Sequence, residues 1–233
     1  MNWRAITVSQ ENNSFIYKDE LLFNKKYDEV LKFHSPGIAP VKDESGWYHI
    51  NVKGVEVYKE RYDRTFGFYC NRASVIDNDS WFHVNEKGDR LYNENYAWTG
   101  NYQENVCSVR DFNKQYFHID LNGINAYKAK YKFVGDFKDG YACVKQQNGF
   151  YKHIDKLGNF LNDKEFLDLG VFHKNYAIAK DKNGWFHIDK QGNELYKERF
   201  VLVEPFYNGF AVVDTFEKTK QIINEEGIVI LSF

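Results

Sequence analysis

Five histidines, His49, His83, His118, His153 and His187, stand 34, 35, 35 and 34 residues apart, and each is followed two positions later by Asn or Asp (Asn51, Asn85, Asp120, Asp155, Asp189). Neutral imidazoles bind metal ions and protonated ones bind anions. A set repeated at fixed spacing could therefore form a ring of ligands, each with a carboxylate or amide on the same strand face. Trp47, Trp81 and Trp185, with Tyr116 and Tyr151 at the same register, add aromatic faces of the kind that hold quaternary ammonium groups. The opposing reading is structural: each imidazole satisfies a backbone carbonyl or its neighbouring Asp, and the aromatics are core. That reading is preferred, because a sixth copy of the segment, KQIINEEG, has Ile222 where the histidine would stand. Candidate ligand-binding residues are thus His49, His83, His118, His153, His187, Trp47, Trp81 and Trp185. No catalytic residue, metal site or cofactor is assigned.

The elements that carry these side chains are themselves repeated. GWYHINVKG, SWFHVNEKG, QYFHIDLNG, FYKHIDKLG and GWFHIDKQG align with one another, and the closing glycine recurs at Gly54, Gly88, Gly123, Gly158, Gly192 and Gly227. A second landmark, Tyr or Phe, keeps the same beat at Tyr27, Tyr62, Tyr96, Tyr131, Phe166 and Phe200, and YKERY at 58–62 returns as YKERF at 196–200. Six units of about 35 residues follow.

Three pieces make up a unit. The first runs from the landmark with apolar residues three and six positions on, as in Tyr27, Val30, Phe33; its Tyr and Val content favours a bulged strand over a helical turn. The second begins at Gly37, Asn71, Asn105, Gly140, Asn175 and Gly209. Only Gly and Asn occupy this position, which predicts a turn with positive φ. A strand follows, with a small residue two positions on (Ala39, Ala73, Cys107, Ala142, Ala177, Ala211) and usually Val after another two. The third piece is the WFHID strand, bulky on both faces and so buried on both. It ends in an Asx turn whose glycine takes the left-handed corner.

The succession F-x-x-G-x-A-x-V, GW and I-D-x-x-G resembles the WG (KWG) repeat found in many bacterial proteins, in a variant with W-F-H-I-D in place of W-G-F-I-D. The resemblance implies a β-repeat binding module without shared catalytic residues. Unit four, with Tyr151 and Lys152, and unit six, with Lys220 and Ile222, depart from the pattern. Choline-binding cell-wall repeats also end aromatic strands in a Gly turn, but their period of about 20 residues does not fit.

The expected fold is all-β: six repeats forming a propeller-like ring, with an open β-solenoid as the alternative. Residues 1–21 form an N-terminal extension or partial repeat and residues 22–233 a single six-repeat domain. The formal charge of −2, with 31 basic and 33 acidic side chains, provides no field for nucleic acid or an anionic membrane. No signal peptide and no membrane span are found, and three cysteines without a CxxC pair read as reduced thiols, which together point to the cytoplasm. GxSxG, HExxH, GxxxxGKS and GxGxxG are all absent, so no enzymatic activity is expected. The expected function is a non-enzymatic module that binds a protein partner through blade loops. The alternative is a small-molecule or glycan-binding protein with repeated pockets.

Overall fold

The computed structural model describes residues 1–233. They fall into two compact units, residues 1–114 with 119–124, and residues 115–118 with 125–233. In the first unit a 3-10 turn (Trp3–Ala5) precedes a small sheet of β1 (Thr7–Val8), β2 (Phe15–Tyr17) and β3 (Glu20–Leu21). The next sheets are β4 (Glu29–Val30), β5 (Ile38–Asp43) and β6 (Gly46–Asn51), then β7 (Arg64–Tyr69), β8 (Arg72–Asp77) and β9 (Ser80–Asn85). β10 (Trp98–Thr99) and β11 (Val106–Arg110) begin a further sheet, which β12 (Tyr116–Asp120) completes; the residues of β12 belong partly to each unit.

The second unit contains β13 (Phe133–Val134), β14 (Ala142–Lys145) and β15 (Tyr151–Ile154), then β16 (Asp168–Leu169), β17 (Ala177–Asp181) and β18 (Gly184–Ile188). Its last sheet has four strands, β19 (Leu202–Val203), β20 (Phe210–Asp214), β21 (Lys220–Asn224) and β22 (Val229–Ser232). Strands follow chain order in every sheet. The protein is all-β and propeller-like, each repeat forming one small antiparallel blade.

Side-chain alternation explains the blades. On the second strand Ala39, Ala73, Ala142, Val41, Val75 and Val144 are completely buried, so small and β-branched residues at period two form the face on which the neighbouring strands pack. The first strand is short and breaks: in β7 the register shifts between Thr65 and Phe68, which is the expected bulge. The turn after it is left-handed at Gly37, Asn71, Asn105, Gly140 and Gly209. Asn175 departs from this expectation. There Lys174 keeps the positive φ (51°) that Cys70, Glu104, Asp139 and Asn208 show at the same place, but Asn175 does not follow with a second one, and the bond from Tyr176 N–H that closes the turn is 3.3 Å.

The third strand ends as its sequence predicts. Asp120 Oδ1 accepts the N–H groups of Asn122 and Ile124 at 2.8 and 2.9 Å, and Asn51, Asn85, Asp155, Asp189 and Asn224 do the same in their own turns. Gly123 closes the turn at φ 81°, and a Cβ there would lie 2.3 Å from the Tyr92 ring of the preceding sheet. This glycine is therefore required twice, once for its backbone and once for close approach. Consecutive sheets are also joined through the main chain. Trp47 and Tyr62 exchange two N–H···O bonds of 2.9 and 3.0 Å, and Trp81 with Tyr96, Tyr151 with Phe166 and Trp185 with Phe200 repeat the exchange.

The first sheet keeps these distances. Ser14 stands 35 residues before His49 and Phe23 stands 35 before Tyr58, and the Phe23 ring lies 3.1 Å from where a Cβ of Gly54 would be.

Candidate functional site

All five histidines of the WFHID strands are buried. Each Nε2 reaches a main-chain carbonyl 17 residues on, in the bulge of the next repeat's first strand: His49 to Phe66, His83 to Gly100, His118 to Gly135, His153 to Gly170 and His187 to Glu204, at 2.8 to 3.1 Å. A carbonyl only accepts, so Nε2 carries the proton and Nδ1 presents a lone pair. Four histidines give that lone pair to a tyrosine hydroxyl nine residues on: His49 to Tyr58, His83 to Tyr92 at 2.6 Å, His118 to Tyr127 at 2.5 Å, and His187 to Tyr196. His153 has Asn162 at that position. Burial pushes all five imidazoles down to about 4, and the carbonyl bond restores only part of the shift. They are neutral at pH 7.

Each imidazole also lies against an aromatic ring 19 residues on. The partners are Phe68, Tyr102, Phe137, Phe172 and Phe206, with centroids 4.0 to 4.8 Å apart. The histidine, its tyrosine and the carbonyl of the next repeat thus form a clasp that joins successive repeats. The acidic and amide residues two positions on are engaged in Asx turns, and no group of three or more His, Cys, Asp or Glu side chains converges as a metal site would need. Sequence reasoning missed the clasp tyrosines, although the shared YKER segment that begins with Tyr58 and Tyr196 marked two of them.

The tryptophans occupy separate sheets. Trp47 is buried beside the Arg64 guanidinium, 5.2 Å from the ring centroid. Trp81 stacks on Phe66 at 5.3 Å, and Trp185 lies under the Lys180 ammonium at 5.3 Å. Each indole is engaged by a neighbour from a first or second strand.

The two remaining histidines sit beside the bulges. The His34 ring lies across the Gly67 backbone, where a Cβ would come within 2.3 Å, and against Tyr69. Burial and, after it, the Lys32 charge hold its imidazole below the ordinary value. With Asn12, Lys32, Phe66 and Asn101 it lines a cavity of about 410 Å³ in the first unit. His173 packs on Tyr207 at 5.0 Å and lies 3.4 Å from Lys138 Nζ through Nδ1, while its buried Nε2 has no hydrogen-bond partner.

Comparison of equivalent registers isolates a different surface. The first strand begins opposite the end of the second (Phe133 pairs with Lys145, Leu202 with Asp214), so strand starts and the turns between second and third strands share one end of each blade. In the first two repeats this end is charged, with Asp28, Glu29, Asp63 and Arg64 at the strand starts and Asp43, Glu44, Asp77 and Asp79 at the turns, whereas the third repeat has Ala97 and Trp98 at its strand start and exposes Phe112 (62%) in its turn. At these registers the later repeats mix charged residues (Lys132, Asp168, Lys182) with exposed Phe133 (44%), Leu167 (48%), Leu202 (46%) and Phe216 (58%), with Phe150 and Val201 beside them. Between Val201 and Phe216 opens a cleft of about 420 Å³, also bordered by Asp214, Lys218 and Lys220. The repeat acts as its own control. A fold that accepts Asp and Glu at these positions in its first two repeats does not need Phe and Leu in the later ones.

These sheets, stitches and clasps define an all-β, propeller-like repeat protein. The WG containing repeat matches residues 119–150 and 185–214. No curated protein matches it. Among solved structures, a eukaryotic initiation factor superposes with a TM-score of 0.58 at 11% identity, over 98% of this chain and 72% of that one. BamB from Moraxella catarrhalis gives 0.52 at 11% over 98% and 86%, and Hsv2 of Kluyveromyces lactis 0.53 at 8% over 98% and 94%. At such identities the likeness is one of fold.

Proposed function

We propose that the protein is a non-enzymatic interaction module that binds a protein partner through blade loops. The observation that carries this reading is the row of exposed Phe and Leu at the loop end of the second unit, at registers that are charged in the first two repeats. Large exposed apolar side chains grouped on one face are costly in water and are retained where a partner covers them. The histidines serve as clasps within this reading rather than as ligands, since a ligand would have to displace a carbonyl and a tyrosine from each ring. The near-neutral charge fits a protein partner better than nucleic acid. Three cysteines outside any disulfide, two of them buried, fit a cytoplasmic location. No helix is long and apolar enough to cross a membrane.

Affinity capture from the cells that make the protein tests the reading. The triple variant Phe133→Ser, Leu202→Ser, Phe216→Ser is compared with the wild type and with Asp28→Ser, Asp79→Ser in the first unit. A protein captured in one-to-one ratio by the wild type and the second variant, but lost from the triple variant, is the expected result. Equal capture by all three would refute it. A second reading rests on the cavity beside His34, which is large enough for a small molecule or a sugar; there Phe66 and Tyr69 supply apolar walls, and Asn12, Asn101 and His34 supply polar groups.

A further inference from the structure

The exposed face of the second unit is apolar and also carries uncompensated positive charge. Lys132 precedes Phe133 at a strand start, Lys182 lies in the turn between β17 and β18, and Lys218 lies in the turn between β20 and β21; all three are exposed, and none forms an ion pair. Three of the acidic groups at the same end are engaged. Asp181 pairs with Arg199 at 2.9 Å and Asp214 with Lys220 at 2.9 Å, while Glu165 accepts from the Gln146 and Asn148 amides. Asp168, at the start of β16, and Glu217 also lie at this end, but Lys145 and Lys180 near the ends of β14 and β17 add to the three lysines, so positive charge remains in excess. The cleft between Val201 and Phe216 lies beside Lys218.

From this arrangement we infer that the face receives a segment of a partner protein that is acidic and apolar, its carboxylates meeting Lys132, Lys182 and Lys218 and an apolar side chain entering the Val201–Phe216 cleft. This rests on the interaction reading above and specifies the partner. Lysines interspersed with exposed Phe and Leu also suit an anionic membrane surface. The cleft argues for the peptide: the space of about 420 Å³ between Val201 and Phe216 takes an inserted side chain, which a peptide supplies and a bilayer surface does not.

The test uses the full chain and three short fluorescein-labelled peptides of equal length, read by fluorescence anisotropy. One alternates Glu with Leu and Phe, one replaces each Glu by Lys, and one replaces each Leu and Phe by Ser. Vesicles of phosphatidylcholine with phosphatidylserine are assayed in parallel by co-sedimentation. The acidic, apolar peptide should bind about tenfold or more tightly than either control, and raising salt from about 0.05 to 0.3 M should weaken it. Lys132→Glu, Lys182→Glu, Lys218→Glu should lower its affinity by about tenfold, as three rim charges acting together would. Leu202→Ser, Phe216→Ser should do the same through the apolar half, and both variants should unfold at the wild-type temperature. Equal binding of the basic peptide, or no binding of the acidic one, overturns the inference while leaving a captured one-to-one partner intact. Vesicle binding in place of peptide binding, with no partner captured, overturns both readings.

Discussion

Acidification should unfold this protein at a pH where most domains are still intact, and the histidine clasps set the window. Five imidazoles are held at about 4 in the folded state by burial, against about 6.5 in an unfolded chain. Between those values the unfolded state binds the protons that the folded state refuses, so stability is complete above about pH 6.5 and falls as pH drops toward 4. Each histidine removes about 1.4 kcal/mol per pH unit across this range, and on the order of 3 kcal/mol in all. Five together, about 15 kcal/mol, reach the upper end of the 5–15 kcal/mol that typically holds a domain folded. The chain should therefore lose its structure before pH 4 is reached.

Carboxylates do not confuse this window. Burial pushes the carboxyls of Asp43, Asp155 and Asp181 up, yet their hydrogen bonds more than compensate and hold them below the usual range. Their contribution is present at and above the ordinary carboxylate pKa, near 4, and is lost only below it. Urea denaturation followed by tryptophan fluorescence at pH 7.5, 6.5, 5.5 and 5.0 gives the slope directly. The midpoint should fall steeply below pH 6.5 with little change in m-value. A midpoint that stays level from pH 7.5 to 5.0 would show that the imidazoles are not desolvated, and the clasp would fail with it.

Three further outcomes are expected. His118→Ala strands both the Tyr127 hydroxyl and the Gly135 carbonyl and should cost about 3 kcal/mol or more in urea unfolding, against about 1–2 for Tyr127→Phe. In the double variant the two costs should not add, and full additivity would separate the two groups. Gly140→Val should cost about 1–3 kcal/mol through its left-handed backbone alone, since nothing stands within 4 Å of the new Cβ. Gly123→Ala adds a collision with Tyr92 and should cost more despite the smaller side chain; a reversed order in chemical denaturation would count against the packing described. A thiol reagent should find three groups in the denatured chain and only Cys70 rapidly in the native one, because Cys107 and Cys143 are buried and burial pushes the Cys143 thiol up to about 12. Fewer than three groups under denaturing, non-reducing conditions would reveal a disulfide.

Much of this was legible in the chain because a repeat displays its own constraints. Glycine at six closing positions and Ala or Val at period two mark where φ must be positive and where two strands must pack, and both are local demands that each unit repeats. The clasp was only half legible. Five histidines stood out, but their partners lie 9 and 17 residues away, and one of the two is a main-chain carbonyl that has no letter in the sequence. The exposed face was hidden for a different reason: alignment rewards agreement between repeats, whereas Phe133, Leu202 and Phe216 matter because they disagree with Glu29, Arg64 and Asp79 at comparable places.

By itself, then, the sequence determined the period, the all-β blades, their left-handed turns and the burial of the WFHID strand, since each follows from steric and hydrophobic preferences acting over a few residues. Tertiary structure decided what the histidines do and where the protein is open to a partner. Whether an imidazole is a ligand or a clasp depends on what occupies its two nitrogens, and whether a phenylalanine is core or contact depends on what covers it. Both are set by neighbouring repeats folding back into reach, which no single stretch of sequence contains.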